Sequence, residues 1–291
     1  MSQNPEIKEV IDAGSPGTNE DKILIDTDGD GNAVLILDGT SGVEGDFGGG
    51  EEDRTGGQKY VDYLASAVEQ ILDREPERDL EAVMKSAIGN VWDRFADEAE
   101  ENVQAYLSGE DATLQTAETV PAAVGSLIRW NNEELEVMHV GDVETYVCMD
   151  GEQERFSNSV HEALDDIRDE YVEEHGKTSS EVRKITSKHR SAHNLPGTYP
   201  NMSFNPLVVE KLGTRKSYPI KEVERVVLST DGGTTRMKRI FDMDDDEVLQ
   251  FLETEGPEKA LEKLRERENS SEIAALKKSD DAGIVDIRFQ R

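Results

Sequence analysis

The sequence predicts an α+β fold in which antiparallel sheets carry helices on their outer sides. Apolar runs with strand character occur in hairpin-linked groups, and turn signals rich in Asp, Asn and Gly separate them. Helical periodicity, in contrast, occurs in two separate pairs of consecutive segments. Grouped strands and grouped helices favour this arrangement over a doubly wound parallel sheet, in which strands and helices would alternate.

The first predicted element is a hairpin of two apolar strands at 22–26 and 33–38, joined by the Asp-Gly and Gly-Asn steps of 27–32. Such steps supply the positive φ values that tight hairpins need. The same segment begins like a calcium-binding loop, but its twelfth position is Leu37, where such a loop needs a bidentate Glu. We therefore expect a turn at this position.

Two helices are predicted next, at 60–72 and 80–99, because apolar residues recur there at helical spacing and Pro76 separates the two runs. Turn signals at Asn131-Asn132 and Gly141-Asp142 then divide an apolar region into strands. These central strands are predicted at 122–130, 135–140 and 145–149.

Residues 157–218 carry the least regular pattern in the chain. A charged portion with helical character at 160–174 precedes a stretch rich in Pro, Gly, Asn and Ser. A long segment of this kind inside a compact domain is usually a functional lid or an insertion, and we expect one here. Beyond it the sequence predicts a strand, two helices and a last strand, at 223–229, 245–254, 257–267 and 283–289.

The chain is strongly acidic. Its 291 residues include 32 Lys and Arg against 64 Asp and Glu, which gives a formal net charge of −32. Nucleic acids and anionic membranes are bound through basic patches, so neither is expected as a partner. The acidic residues are spread over the whole length, which is typical of a hydrated surface suited to high salt, and we expect a halophilic source. A DNA-mimicking acidic surface is the alternative interpretation.

Cysteine content and hydropathy bear on the location. Cys148 is the single cysteine, so neither a disulfide nor a cysteine-based zinc cluster can form within one chain. The first 14 residues lack the apolar centre of a signal peptide. No run approaches the ~20 apolar residues of a membrane span. We therefore expect a cytoplasmic protein without a membrane partner.

Three Asp residues lie where a predicted strand meets a loop. Asp38 and Asp231 each follow a strand and precede a Gly, and Asp280 lies just before the last strand. Divalent cations prefer oxygen ligands on a rigid frame, and neighbouring strands would bring these carboxylates together. Two ions ~3.5–4 Å apart would activate a water for phosphoryl displacement. A lone Asp-Gly is more often a simple turn, so it is the ordered set that predicts a metal site.

Five short motifs follow one another along the chain. They are Asn19-Glu20-Asp21, Asp38-Gly39-Thr40-Ser41-Gly42, His139-Val140-Gly141-Asp142, Ser229-Thr230-Asp231-Gly232 and Asp280-Asp281-Ala282. Together, over residues 14–291, they resemble the metal-dependent protein phosphatases, the type 2C serine/threonine phosphatase family. The resemblance implies a four-layer α-β-β-α sandwich with two central antiparallel sheets. It also implies a single phosphatase-like domain over residues 1–291, with the insertion or lid at 157–218.

The resemblance further implies a centre of two Mn²⁺ or Mg²⁺ ions. Asp38 would bridge both ions, and catalysis would rest on Asp38, Asp231 and Asp280 through a water that the metals activate. Glu20 and Asp21 would act largely through water, and Asp142 would match the family's third, weaker metal position. The implied metal ligands are Glu20, Asp21, Asp38, Gly39, Asp142, Asp231 and Asp280.

Two positions depart from the family pattern. Pro16 stands where the family often has an Arg that binds the substrate phosphate, and Thr40 stands where many members carry a His proposed as general acid. Because an Arg fork is hard to replace for bidentate phosphate recognition, another arginine is expected to bind the phosphate. The candidates are Arg54, Arg190 and Arg236.

The function that the resemblance implies is hydrolysis of phosphoserine or phosphothreonine in a phosphorylated protein, without a covalent phosphoenzyme. An alternative from another class is a non-catalytic phosphatase-like module that binds a phosphoprotein, which Pro16 favours. A phosphatase for small phosphorylated metabolites is a third interpretation, which shares the metals and differs in the role of the insertion.

Overall fold

The structure is a computed structural model that describes residues 5–14, 19–27, 32–39, 54–96, 121–158, 167, 194, 199–203, 205–270 and 279–290. The strands in these ranges are β1 (Glu6–Asp12), β2 (Asp21–Asp26), β3 (Asn32–Gly39), β4 (Ala123–Trp130), β5 (Glu134–Val140), β6 (Glu144–Met149), β7 (Glu152–Phe156), β8 (Thr214–Pro219), β9 (Val223–Ser229) and β10 (Ala282–Arg288). They form two five-stranded sheets, ordered β1-β10-β9-β6-β7 and β2-β3-β4-β5-β8. Every neighbouring pair is antiparallel.

The helices cover the outer side of each sheet. Those in the described ranges are α1 (Gly56–Arg74), α2 (Leu80–Ala96), α3 (Leu207–Leu212), α4 (Arg236–Phe241), α5 (Asp245–Glu255) and α6 (Pro257–Glu268). A capping box begins α1, in which the Thr55 hydroxyl and the Gln58 side chain each accept a hydrogen bond from the other residue's backbone N–H. Pro257 occupies the first turn of α6, as its fixed φ favours. None of the described helices combines the length and the apolar character needed to cross a membrane.

Three apolar cores separate four layers. Strand β3 shows how, because Leu35 packs toward α1 while its neighbour Ile36 packs between the two sheets. On β10, Val285 joins the same inter-sheet core, and Ile284 packs toward α4, α5 and α6. Successive side chains of a strand point to opposite faces, so a strand buried on both faces is apolar throughout. The predicted α+β fold with its four α-β-β-α layers is confirmed.

The N-terminal strand β1 was not predicted from the sequence. It is the edge strand beside β10, and its sequence is mostly charged. Ile7 packs into the inter-sheet core, whereas Val10 packs into the core under the outer helices. Because these two partly buried apolar residues lie on opposite faces, the strand lacks a simple alternation of apolar and polar residues.

The described part of the predicted insertion at 157–218 lies mainly at its C-terminal end. Its last residues form α3 and β8, and β8 pairs with β5 as the edge of the second sheet. The helical portion expected at 160–174 falls almost wholly outside the described residues, as does most of the hairpin turn at 27–32.

Candidate metal centre

Two of the predicted ligands face each other in the second sheet. Asp21 is the first residue of β2, and it lies directly opposite Asp38 near the end of β3 in the antiparallel register. Asp21 is buried, and its Oδ2 accepts a 2.6 Å hydrogen bond from the Thr230 hydroxyl. The register therefore brings two carboxylates to one edge of the sheet.

The other sheet contributes carboxylates at the same edge. Asp231 opens a π-helical turn (Asp231–Thr235) just after β9, and Asp280 lies just before β10, which pairs with β9. Thr230 and Gly283 exchange bonds across this pair: the Thr230 N–H donates to the Gly283 carbonyl at 3.0 Å, and the Gly283 N–H donates to the Thr230 hydroxyl oxygen at 2.8 Å. Antiparallel pairing thus places the end of β9 beside the start of β10.

The carboxylates act on one another electrostatically. Burial raises the pKa of Asp38 well above its ordinary value, and the charges of Asp231, Asp21, Asp142 and Asp280 raise it further, in that order. Burial is also the main cause that raises the pKa of Asp21, with contributions from Asp231 and Asp280, although the Thr230 hydrogen bond lowers it. Four of the predicted ligands therefore lie close enough to Asp38 to perturb it.

Glu20 and Gly39 are held beside Asp21 and Asp38. The Gly39 N–H donates to the Glu20 carbonyl at 2.9 Å, and a Cβ on Gly39 would lie only 2.7 Å from that oxygen. The Glu20 carboxylate accepts a 2.6 Å hydrogen bond from the Thr55 hydroxyl, and its backbone N–H donates to Asp281 Oδ2 at 2.7 Å. Only a residue without a side chain fits at position 39, which explains the Asp-Gly step at the end of β3.

Asp142 follows the β5 strand on a tight turn. Gly141 adopts a φ of +99°, which favours glycine, and the His139 Nε2 forms a 3.0 Å hydrogen bond with the Gly141 carbonyl. Asp142 is buried, and its Oδ1 accepts a 2.8 Å hydrogen bond from the Tyr199 hydroxyl. His139 is thus packed and hydrogen-bonded in the strand.

The side chains at this edge offer oxygen donors of the kind that divalent cations prefer. Apart from burial, the four strongest effects on the pKa of Asp38 all come from carboxylates. Such a concentration of negative oxygen donors suits Mn²⁺ or Mg²⁺. Within the described residues, however, no three His, Cys, Asp or Glu side chains are arranged so that they could hold a metal ion. The chemistry of the donors fits a cation, while their side-chain positions do not form a closed ligand shell.

The candidate phosphate-binding arginines differ in their surroundings. Arg54 lies immediately before Thr55 and forms an ion pair with Asp62 of α1, with its side chain 35% exposed. Arg236 pairs with the fully buried Glu268 at 2.7 Å and is 14% exposed. Arg190 lies outside the described residues, as do Pro16 and Thr40.

Several residues at this edge were not assigned a role from the sequence. Thr230 bridges Asp21 and Gly283, and Tyr199 contacts Asp142 from a distant segment. The Thr55-x-x-Gln58 pattern is a recognisable capping box and could have marked the start of α1 next to Glu20. Thr230 and Tyr199 give no such local signal, because their partners lie 209 and 57 positions away.

Comparison with known proteins supports the fold through structure rather than sequence. No protein-family model matches the chain, and no curated protein matches it either. Solved structures do match. The serine/threonine phosphatase PstP/Ppp of Mycobacterium tuberculosis covers 99% of this chain and 100% of its own, with 17% identity and a TM-score of 0.56.

Two further structures match over a similar length. The catalytic domain of the serine/threonine protein phosphatase PstP in complex with two manganese ions covers 99% of both chains, with 16% identity and a TM-score of 0.55. A bacterial serine phosphatase covers 98% of both chains, with 15% identity and a TM-score of 0.56. The chain therefore has the fold of these serine/threonine phosphatase structures.

Proposed function

We propose that this protein is a metal-dependent phosphomonoester hydrolase that acts on phosphoserine or phosphothreonine in proteins. The observation that carries the proposal is the set of carboxylates at one edge of the two sheets. Asp21 lies opposite Asp38 in one sheet, and Asp231 and Asp280 lie at the paired ends of β9 and β10 in the other. Its fold is shared with serine/threonine phosphatases, one of which was solved with two manganese ions.

The metal-binding residues are proposed on the same grounds. Asp38, Asp231 and Asp280 would hold two Mn²⁺ or Mg²⁺ ions together with the Gly39 carbonyl, and Asp142 would serve a third position. Glu20 and Asp21 would contribute through ordered water. When bound, the ions would act as Lewis acids on the phosphoryl oxygens and lower the pKa of the attacking water.

The contribution of the chain itself is to fix the orientation of these carboxylates. The Thr230 hydroxyl holds one oxygen of Asp21, and the Thr55 hydroxyl holds one oxygen of Glu20, each at 2.6 Å. Hydrogen bonds of this type orient a ligating side chain before the cation binds and raise the affinity of the site for the cation. A carboxylate that accepts one hydrogen bond can also bind a cation or ordered water, because each of its oxygens has two lone pairs.

We propose Arg54 as the residue that binds the substrate phosphate. It lies next to Thr55, whose hydroxyl contacts Glu20, and it is more exposed than Arg236. A phosphate would have to compete with Asp62 for its guanidinium, which forms bidentate contacts with either anion. Arg190 stays a candidate on the evidence of the sequence alone.

The test of the proposed function is turnover with Mn²⁺. Purified protein should release phosphate from a phosphoserine peptide and from an aryl phosphate, and Asp38→Asn should abolish the release. Asp73→Asn, a substitution on the exposed side of α1, is the matched control and should leave turnover unchanged. Hydrolysis that persists after chelation and in Asp38→Asn would show that the proposal is wrong.

A non-catalytic binding module is the second candidate, and Pro16 is the feature that favours it. Calorimetric titration separates the two functions, because Mn²⁺ binding without turnover of any phosphorylated substrate would support the module. Turnover of small phosphorylated metabolites with no turnover of phosphopeptides would instead support a metabolite phosphatase.

We also propose that the protein works in the cytoplasm of a halophile. The support is its net charge of −32, spread over the whole chain. Dense like charge is tolerated best where salt screens it, and the salt dependence of stability tests this proposal.

A further inference from the structure

One tyrosine outside the proposed ligand set lies against the carboxylates. The Tyr199 hydroxyl donates a 2.8 Å hydrogen bond to Asp142 Oδ1, and both residues are buried. An ordinary phenol is protonated at neutral pH, so the Tyr199 hydroxyl acts as the donor in this pair.

The backbone around Tyr199 is fixed to the second sheet. Met202 and Ala123, the first residue of β4, exchange two backbone hydrogen bonds of 2.7 and 3.2 Å. The Tyr60 hydroxyl of α1 donates a 2.9 Å hydrogen bond to the Ser203 carbonyl. Residues 199–203 thus form a segment, here called the Tyr199 segment, that is anchored on both β4 and α1.

The backbone of Asp142 is held by the turn that precedes it. Its backbone follows Gly141, whose φ of +99° defines a tight turn, and His139 holds the Gly141 carbonyl through its ring nitrogen. The turn determines where the Asp142 backbone lies, whereas the hydrogen bond from Tyr199 determines how its carboxylate is oriented.

We propose that Tyr199 is a positioning residue for a cation at Asp142, and that this cation in turn stabilises the Tyr199 segment. The inference rests on the metal centre of the proposed function and adds to it a link between the third position and residues 199–203. A carboxylate has about four lone-pair sites, so one that accepts a hydrogen bond can bind a cation as well.

The expected size of the effect follows from general metal-site chemistry. Removing a hydrogen-bonding partner of a ligating side chain lowers metal affinity by ~10–100-fold. Coupling between two sites is reciprocal. The free energy by which the Tyr199 hydrogen bond strengthens cation binding therefore equals the free energy by which the bound cation stabilises that hydrogen bond. The same coupling is therefore measurable from either side.

The first experiment titrates the full chain with Mn²⁺ alone in a calorimeter. Asp142→Asn should remove the weakest class of Mn²⁺ sites, and Tyr199→Phe should weaken that class by ~10–100-fold while the tighter sites keep their affinities. Tyr218→Phe is the matched control. Tyr218 is a buried tyrosine that lies opposite Leu135, at the end of β5 away from Asp142, and its variant should bind like the wild type.

The second experiment measures amide hydrogen exchange of residues 199–203 with and without saturating Mn²⁺. Added Mn²⁺ should slow exchange there in the wild type, and Asp142→Asn should abolish this protection. The inference would be overturned if Tyr199→Phe kept the wild-type affinity at every class of Mn²⁺ site. It would also be overturned if Mn²⁺ left the exchange rates of residues 199–203 unchanged. Turnover is assayed separately, so an inactive protein that still shows the Tyr199-dependent Mn²⁺ site would overturn the phosphatase function alone.

Discussion

The Thr230 hydroxyl donates a 2.6 Å hydrogen bond to Asp21, a residue 209 positions earlier in the chain and on the other sheet. The same hydroxyl oxygen accepts a 2.8 Å hydrogen bond from the Gly283 N–H. One side chain thus joins the edge of β2 to the paired ends of β9 and β10. The two halves of the candidate metal centre, which belong to different sheets, are connected through this threonine.

Thr230→Val should therefore damage both stability and metal binding. The substitution leaves the buried Gly283 N–H without its acceptor, which costs ~1–3 kcal/mol, and it removes the group that orients Asp21. We expect Mn²⁺ affinity to fall by ~10–100-fold. Urea unfolding and calorimetric titration measure the two effects. Thr230→Ser keeps the hydroxyl and serves as control, and equal Mn²⁺ affinity in both variants would contradict the prediction.

Asp281→Asn should weaken the attachment of Gly14 and Glu20 to the residues before β10. The two Asp281 oxygens accept hydrogen bonds from the Gly14 and Glu20 N–H groups at 2.9 and 2.7 Å. An amide offers only one oxygen, so one N–H would face an NH₂ group at a cost of ~1–3 kcal/mol. Thermal unfolding and amide exchange at Gly14 and Glu20 report this loss. The exposed Asp73→Asn is the control. An Asp281→Asn variant as stable as that control would show that the two hydrogen bonds to Asp281 contribute little.

Glu144→Ala should destabilise the turn that carries Asp231. Glu144 is fully buried and accepts hydrogen bonds from Thr234 and Lys238, both at 2.5 Å, and from Arg155. Thr234 belongs to the turn that begins at Asp231. Removing one partner of a buried ion pair costs ~3–5 kcal/mol. The free energy of unfolding should fall by this amount, whereas Glu69→Ala on the exposed side of α1 should change little. A small effect of Glu144→Ala would contradict the account.

His139 should make stability depend on pH. Burial lowers its pKa from 6.5 to about 4. The pKa of His139 is lower in the folded than in the unfolded state. Its contribution to the free energy of unfolding is therefore complete above pH 6.5 and falls by ~3 kcal/mol as the pH drops toward 4.

The variant His139→Gln retains a donor for the Gly141 carbonyl but does not titrate. Between pH 7 and pH 4 its free energy of unfolding should fall less steeply than that of the wild type. The difference in slope should correspond to the uptake of up to one proton on unfolding. Carboxylates contribute equally to both curves, so the difference between them isolates His139. Parallel curves would show that the ring binds protons equally well in the folded and the unfolded state, so that its pKa is not lowered by folding.

Salt should raise the stability of this chain. With 64 acidic and 32 basic residues, self-repulsion opposes the compact state. The screening length shortens from ~10 Å at 0.1 M salt to ~3 Å at 1 M. We expect the thermal midpoint to rise between these KCl concentrations. Sucrose of equal osmolality, which carries no charge, should raise it less. A midpoint that falls or stays constant in KCl would argue against adaptation to high salt.

Most strands could be predicted from the sequence because they are buried on both faces and read as continuous apolar runs. The predicted strands at 33–38 and 223–229 agree with β3 and β9 to within one residue at each end. Strand β7 was missed because only Phe156 in it is apolar and buried, and it lies at the edge of its sheet. Edge strands of this kind are specified by their neighbour's backbone more than by their own pattern.

The carboxylates of the candidate site were predictable for a local reason, since each follows or precedes a strand and two of them precede a Gly. Their hydrogen-bonding partners were not. Thr230, Thr55 and Tyr199 act through contacts between distant parts of the chain, and a hydroxyl residue at a strand end or helix start has no pattern that names its partner. Register and layer packing decide those contacts, and both are properties of the assembled fold.

The inter-sheet core has a consequence for the chemistry at its edge. Asp21 and Asp38 belong to one sheet, and Asp231 and Asp280 to the other, so the width of the apolar layer between the sheets sets the gap between the two pairs of carboxylates. At Gly283 a Cβ would lie 3.4 Å from Ile36 of the facing sheet. A substitution that thickens or thins this layer would change the distance between the two pairs of carboxylates without altering any candidate ligand. Apolar positions could therefore change which ionic radius the candidate centre prefers.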